Sequence, residues 1–210
     1  MIAALFVATG GVYFNLDGVD PWDVTRDARL YAGPHPVVAH PPCQRWGRYW
    51  FGGPSVTVRK KLGDDGGCFA HALWAVRQFG GVLEHPEASS AWEYFGILAP
   101  LRGGGWSRAD HHGWTCCVEQ GAYGHRARKA TWLYAVRAEL PRLTWRAAGD
   151  FVRLDAGYHS KEERARAVKT GACQRLSVKQ RLATPLEFRD LLISIATTTL
   201  APSVGSGGGE

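Results

Sequence analysis

The segment Val37-Val38-Ala39-His40-Pro41-Pro42-Cys43-Gln44 constrains the fold of this chain more than any other. Three apolar residues read as a short buried strand, and two prolines stop it, because proline has no N–H to give to a sheet ladder. The side chains that follow therefore stand at the carboxyl end of a strand, where open α/β sheets keep their ligands and their chemistry. Cys43 is the reactive group at that place. A thiolate is a strong nucleophile even when only partly ionised, and it suits addition to an electrophilic ring carbon. The competing reading is an inert thiol, since free cysteine is among the most buried residue types.

The rest of the chain supports α/β alternation. Asp20-Pro21 with Asp23 reads as a helix start and Gly33 as its stop, around Val24–Ala32. Cys68, Phe69, Ala72, Leu73, Val76 and Phe79 recur at helical spacing, and Gly80-Gly81 ends the run. Ser90-Ala91-Trp92-Glu93 reads as a capping box for a short helix ended by Gly96; Ser160-Lys161-Glu162-Glu163 reads as a second. Thr184-Pro185-Leu186-Glu187 is a third, opening an amphipathic helix through about Thr197. Residues 100–113 read as a Gly-rich loop, with strands at Thr115–Glu119 and Thr131–Val136. At the N-terminus two readings stand. Leu5–Ala8 and Val12–Leu16 flank Thr9-Gly10-Gly11 as a hairpin would. Alternatively, Gly10 and Gly11 form a glycine loop that lets a nucleotide cofactor approach the backbone.

A chain of 210 residues fits one domain over residues 1–200, and the Pro, Ser and Gly-rich residues 201–210 read as a disordered tail. No apolar run approaches the length of a membrane span, and the first residues lack a secretory pattern. Five cysteines, an odd number, fit a reducing cytoplasm better than a disulfide framework. Lys and Arg number 25 against 19 Asp and Glu, a net charge of +6 that suits a polyanionic partner.

Pro41-Pro42-Cys43-Gln44 resembles the catalytic loop of the cytosine-5 DNA methyltransferases, and later segments resemble that family in the family's order. Asp64–Leu73 begins the helix that follows. Gly81-Val82-Leu83-Glu84-His85-Pro86 is similar to the strand ending in Glu-Asn-Val. Gly121–Arg128 with Thr131–Val136 is similar to the Tyr-Gly, Gln-x-Arg-x-Arg and strand block. The likeness covers roughly residues 35–137. His85 replaces the family's asparagine, Gly124 falls where its glutamine would, and a large target-recognition insert is lacking, with only about residues 137–180 to hold one.

The resemblance implies a Rossmann-like, class I methyltransferase-type sheet with flanking helices and a shortened N-terminal part, of the kind phages and prophages carry. The location would then be the host cytoplasm. It further implies that the Cys43 thiolate adds to cytosine carbon 6 and that Glu84 holds or protonates ring nitrogen 3. Arg126 and Arg128, alternating on a strand, would point together toward substrate carbonyl or phosphate. Methyl transfer from S-adenosylmethionine would then use Gly10, Gly11 and a ribose-binding acid, Asp20 or Asp23. A different one-carbon donor on a free pyrimidine nucleotide, or an inactive nucleic-acid-binding scaffold, are the alternatives. Residue by residue, Glu84 also reads as a salt-bridged carboxylate and the arginines as a solvated edge.

The implied partner is DNA with a flipped or single-stranded cytosine, because a stacked base cannot receive the attack. Pro42, Gln44 and Arg45 would contact the substrate. Trp46, Tyr49, Trp50 and Phe51, interleaved with Arg45 and Arg48, suit a stacking and phosphate-binding loop, or else pack over the core. Arg59-Lys60-Lys61 and the basic stretch Arg164–Arg181 are either phosphate-tracking or solvated. No metal is expected: on a strand, Cys116 and Cys117 face opposite sides and cannot share one ion with His111 and His112.

Overall fold

The computed structural model describes residues 1–52, 56–152, 160–170 and 176–199. Seven strands form one mixed sheet: β1 (Ile2–Leu5), β2 (Val19–Trp22), β3 (Val37–Ala39), β4 (Gly81–Pro86), β5 (Ser107–Arg108), β6 (Trp114–Glu119) and β7 (Ala130–Val136). Their order is β2-β1-β3-β4-β7-β6-β5. The first four are mutually parallel, β7 runs antiparallel to β4, β6 antiparallel to β7, and β5 antiparallel to β6. The helices are α1 (Cys68–Phe79), α2 (Ser90–Tyr94), α3 (Lys161–Thr170), α4 (Val178–Leu182) and α5 (Leu186–Thr197).

β3 is fully buried, and its last ladder bond is His40 N–H to the Leu5 carbonyl at 3.0 Å. Beyond it the prolines end the pairing, as the sequence predicts. Alternation splits the sheet's side chains between two cores. On one face Leu5, Val37, Ala39, Leu83 and Tyr134 pack with Phe69, Leu73 and Val76 of α1. On the other, Ala4, Val38, Val82, Leu133 and Ala135 pack with Phe188, Leu192 and Ile195 of α5. Gly81, at φ +112°, lets β3 and β4 approach, since a Cβ there would overlap the Val37 carbonyl.

The helices expected at 68–79 and to Thr197 form as the spacing predicts, and so do the two later strands. Five expectations are corrected. Asp20-Pro21 lies in β2, and the helix expected over Val24–Ala32 shrinks to a 3-10 turn at Ala28–Leu30. The Asp23 carboxylate captures the Thr25 and Arg26 N–H groups in a tight turn, while Pro21 is tolerated because β2 is an edge strand. The N-terminal hairpin does not form: residues 11–16 make turns, and β1 pairs with β2 in parallel. Arg126 and Arg128 sit in a loop rather than on a strand. Ser89, not Ser90, caps α2, and Pro185 occupies the cap of α5 without a side-chain bond from Thr184. The cap from Ser160 to Glu163 N–H is present at 3.0 Å. The tail at 201–210 and Arg175 lie outside the described residues. No helix among the described residues is long and apolar enough to cross a membrane.

Candidate active site

The carboxyl ends of β1, β3 and β4, the end of β6 and the start of β7 meet at one edge of the sheet. His40 continues β3 in the register that places Ala39 opposite Leu83, one residue before Glu84. Both side chains therefore emerge on the face covered by α5, and they meet: His40 Nδ1 lies 2.9 Å from Glu84 Oε2. The other ring nitrogen, Nε2, lies 2.8 Å from the Tyr13 hydroxyl. Gln120, buried where β6 ends, donates Nε2–H to Glu84 Oε1 at 3.1 Å and to Thr131 Oγ1 at 2.9 Å. A continuous polar chain thus runs Tyr13–His40–Glu84–Gln120–Thr131.

Electrostatics fix the state of this chain. Burial opposes ionisation of Glu84, but the His40 hydrogen bond and charge, with Lys129 and His85 nearby, outweigh it and hold the carboxyl below its usual range. Burial, reinforced by Glu84, pushes the Tyr13 hydroxyl far above the ordinary tyrosine value, so it stays a neutral phenol. Cys43 is half-buried at the start of a turn, its carbonyl accepting Trp46 and Gly47 N–H at 3.0 Å each. Burial and then the Glu84 charge raise its thiol, and Lys129 pulls the other way. Lys129 is lowered by burial, while Glu84 and Cys43 stabilise its charge; its ammonium also donates to the Ala183 carbonyl at 3.1 Å.

Cys43 and Glu84 therefore stand at the same end of the sheet, and the cation whose charge acts on both is Lys129 rather than the expected arginines. Arg126 is exposed, its carbonyl taking Val152 N–H, and exposed Arg128 lies 3.9 Å from Glu119 and over the Phe151 ring. The sequence signal that was there to find is position: Lys129 immediately precedes β7, whose first residues pair with the end of β4. His40 and Gln120 carried a weaker signal, each a polar residue directly beyond an apolar strand. His85 points to the opposite face, buried against Phe69 and Trp92; burial drives its pKa down to about 4, so it is a neutral core ring.

Pro42 and Gln44 are exposed beside Cys43, while half-buried Arg45 donates to the Trp50 carbonyl at 3.4 Å. Both readings of the aromatic loop apply to different residues. Trp46 is 2% exposed, packs on Phe69 and Phe95 and bonds Asp65 at 2.8 Å, whereas Tyr49 is 57% exposed. Arg48 lies over Tyr49 and Arg59 over Phe51. Gly10, at φ +64°, has open space on its Cβ side, but Gly11 is closed in by the Ala8 carbonyl.

The nucleoside half of S-adenosylmethionine needs a carboxylate free to take ribose hydroxyls. Asp23 already accepts from Thr9, from the Thr25 hydroxyl and N–H, and from Arg26 N–H. Asp20 is held by Trp22 Nε1–H and by Arg26. Neither acid fits that role as it stands. Cys116 is buried and Cys117 lies on the other face, and among the described residues no cluster of three or more His, Cys, Asp or Glu side chains is placed to hold a metal ion. Compared with protein-family models, with curated proteins and with solved structures, the chain matches none.

Proposed function

We propose that this chain modifies carbon 5 of cytosine through a covalent adduct on Cys43, with DNA as its substrate. The observation that carries the reading is positional: Cys43 lies just beyond β3, Glu84 lies on the neighbouring parallel strand β4, and Lys129 immediately precedes β7, whose first residues pair with the end of β4. Addition to a pyrimidine uses a thiolate at carbon 6 and a carboxyl at ring nitrogen 3; the Lys129 charge works against the rise that burial and Glu84 impose on the Cys43 thiol. The strand order adds support. The reversed β7 lies between β4 and β6, which run parallel to each other, as in a Rossmann-like, class I methyltransferase sheet; the second reversed strand β5 at the edge, and the lack of the helices that usually follow β1 and β2, depart from that pattern. The net charge of +6 suits a polyanion.

Methyl transfer from S-adenosylmethionine is the version that the resemblance implies. The engaged carboxylates of Asp20 and Asp23 favour a second version, in which another one-carbon donor supplies the group. Both share the Cys43 adduct. The test is expression of the wild type and Cys43→Ala in the same cells, followed by mass spectrometry of nucleosides from genomic DNA and from the nucleotide pool. A modified cytosine that vanishes with the variant is expected, its mass identifying the transferred group. No adduct in either fraction leaves the inactive binding scaffold as the surviving reading.

A further inference from the structure

His40 has no part in the resemblance, yet it links Tyr13 to Glu84 in the polar chain of the site. Both ring nitrogens are engaged, Nδ1 with Glu84 at 2.9 Å and Nε2 with Tyr13 at 2.8 Å. An ionised carboxylate only accepts, so Nδ1 carries the hydrogen. Nε2 then accepts the Tyr13 O–H when the ring is neutral, and donates to the same oxygen when the ring is an imidazolium. The contact geometry serves both protonation states without moving a heavy atom. Gln120 pins the second oxygen of Glu84, so that carboxylate cannot swing away from His40.

An acceptor-only Glu84 presents the adduct chemistry with a missing proton. We propose, resting on the cytosine reading above, that His40 is a positioning residue that stores this proton and feeds it to ring nitrogen 3 through Glu84. The step balances as follows. The Cys43 thiolate forms the bond to carbon 6, and the carbon 5–carbon 6 π pair moves between carbons 4 and 5. The carbon 4–nitrogen 3 π pair forms a new N–H bond with the proton that Nδ1 of the imidazolium passes through Glu84. Glu84 ends the step a carboxylate again, and His40 ends it neutral, with its remaining hydrogen on Nε2 and donated to Tyr13. When the thiolate leaves, the electrons return by the same route, the nitrogen 3 proton passes back to Glu84, and His40 is recharged. The pair ends as it began. The groups facing His40 are Tyr13 from the loop after β1 and Glu84 from β4. Through those two it also senses Lys129, Cys43 and His85, together with Arg189 and Asp190 of α5.

The experiment is exchange of the cytosine carbon 5 hydrogen for deuterium in a single-stranded oligonucleotide, which needs the adduct but no one-carbon donor. Rates are followed against pH for the wild type, Cys43→Ala and His40→Asn. Asparagine keeps an N–H near the Nδ1 position and cannot carry a transferable proton. His40→Asn is expected to slow exchange about 100-fold and to remove the alkaline fall of the profile, while oligonucleotide binding is kept. Wild-type rates and an unchanged profile in His40→Asn would overturn the proposal and leave the cytosine reading standing. No exchange by the wild type itself would overturn the cytosine reading and this proposal with it. Should His40→Asn not fold, Tyr13→Phe reads the same contact from the other side: a displaced alkaline limb supports the relay, and an unmoved one refutes it.

Discussion

Asp23 gathers Thr9, Thr25 and Arg26 around one carboxylate and so ties the loop after β1 to the end of β2. The Thr25 and Thr9 hydroxyls, outweighing desolvation, bring its pKa down from 3.8 to about 2. The folded value lies below the unfolded one, so the stabilisation is complete above pH 3.8 and is lost as pH falls toward 2. Thermal unfolding of the wild type should therefore weaken progressively below about pH 4. Asp23→Ala should have a lower melting temperature at neutral pH and lack that part of the acid dependence. Equal melting temperatures at pH 7 would show that the turn does not depend on this carboxylate. The same residue illustrates how a side chain reads differently in sequence and in space. As an acid shortly after a glycine loop, Asp23 resembles a ribose ligand. In the fold its oxygens are already taken.

At the scale of elements, α5 closes one face of the sheet and thereby the site side of β3 and β4. Its residues Phe188, Leu192, Ile195 and Ala196 are buried against those strands. Phe188→Ala should cost about 3–5 kcal/mol in denaturant unfolding, the usual penalty for a large buried aromatic that leaves a cavity. A loss below about 1 kcal/mol would mean that the helix is not part of the cooperative core. Gly81→Ala should fail to give folded protein at all, because its Cβ meets the Val37 backbone rather than a side chain that can turn aside. Elements of this kind were legible in the sequence. α1 and α5 repeat apolar residues at helical spacing, and β3, β6 and β7 are apolar runs bounded by prolines, glycines or loops. The segment from Gly10 to Gly33 was not. Its chain direction is set by hydrogen bonds that Asp23, Asp20 and Asp27 accept from nearby donors, and it pairs with the preceding strand, β1, in parallel rather than as a hairpin. Local propensity there favours a hairpin and a helix; parallel pairing and side-chain capture override it. The site was half legible for a related reason. Cys43 and Glu84 sit at the ends of strands that announce themselves, while Lys129, His40 and Gln120 become neighbours only once β3, β4, β6 and β7 are laid side by side.

For the molecule as a whole, the proposed substrate is a polyanion and the surface beside Cys43 is both basic and aromatic. Trp46 anchors the loop to α1 and α2, and this leaves Tyr49 exposed, with Arg48 over its ring. Arg59, Lys60 and Lys61 return the chain to the same neighbourhood, Arg59 lying over Phe51 and Lys60 N–H bonding the Phe51 carbonyl at 3.0 Å. Such a surface suits a single strand, whose bases stack on rings while guanidinium and ammonium groups neutralise phosphates. Two separable effects follow. Removing a cation releases one fewer counterion, so Arg48→Ala and Arg59→Ala together should lower the slope of log affinity against log salt by about 1.4 for single strands. Removing a stacking ring should weaken binding without altering that slope, and Tyr49→Ala should cost about 1–3 kcal/mol. Titrating a labelled single-stranded oligonucleotide by fluorescence anisotropy at several salt concentrations measures both quantities on the same samples. A salt slope unchanged by the arginine pair would place phosphate contact elsewhere, on α3 or α4, whose basic residues Arg164, Arg166, Lys179 and Arg181 are the other concentration of positive charge. A slope that falls together with a Tyr49 effect confined to affinity would make this loop the track that brings a strand, and one unstacked cytosine, up to Cys43.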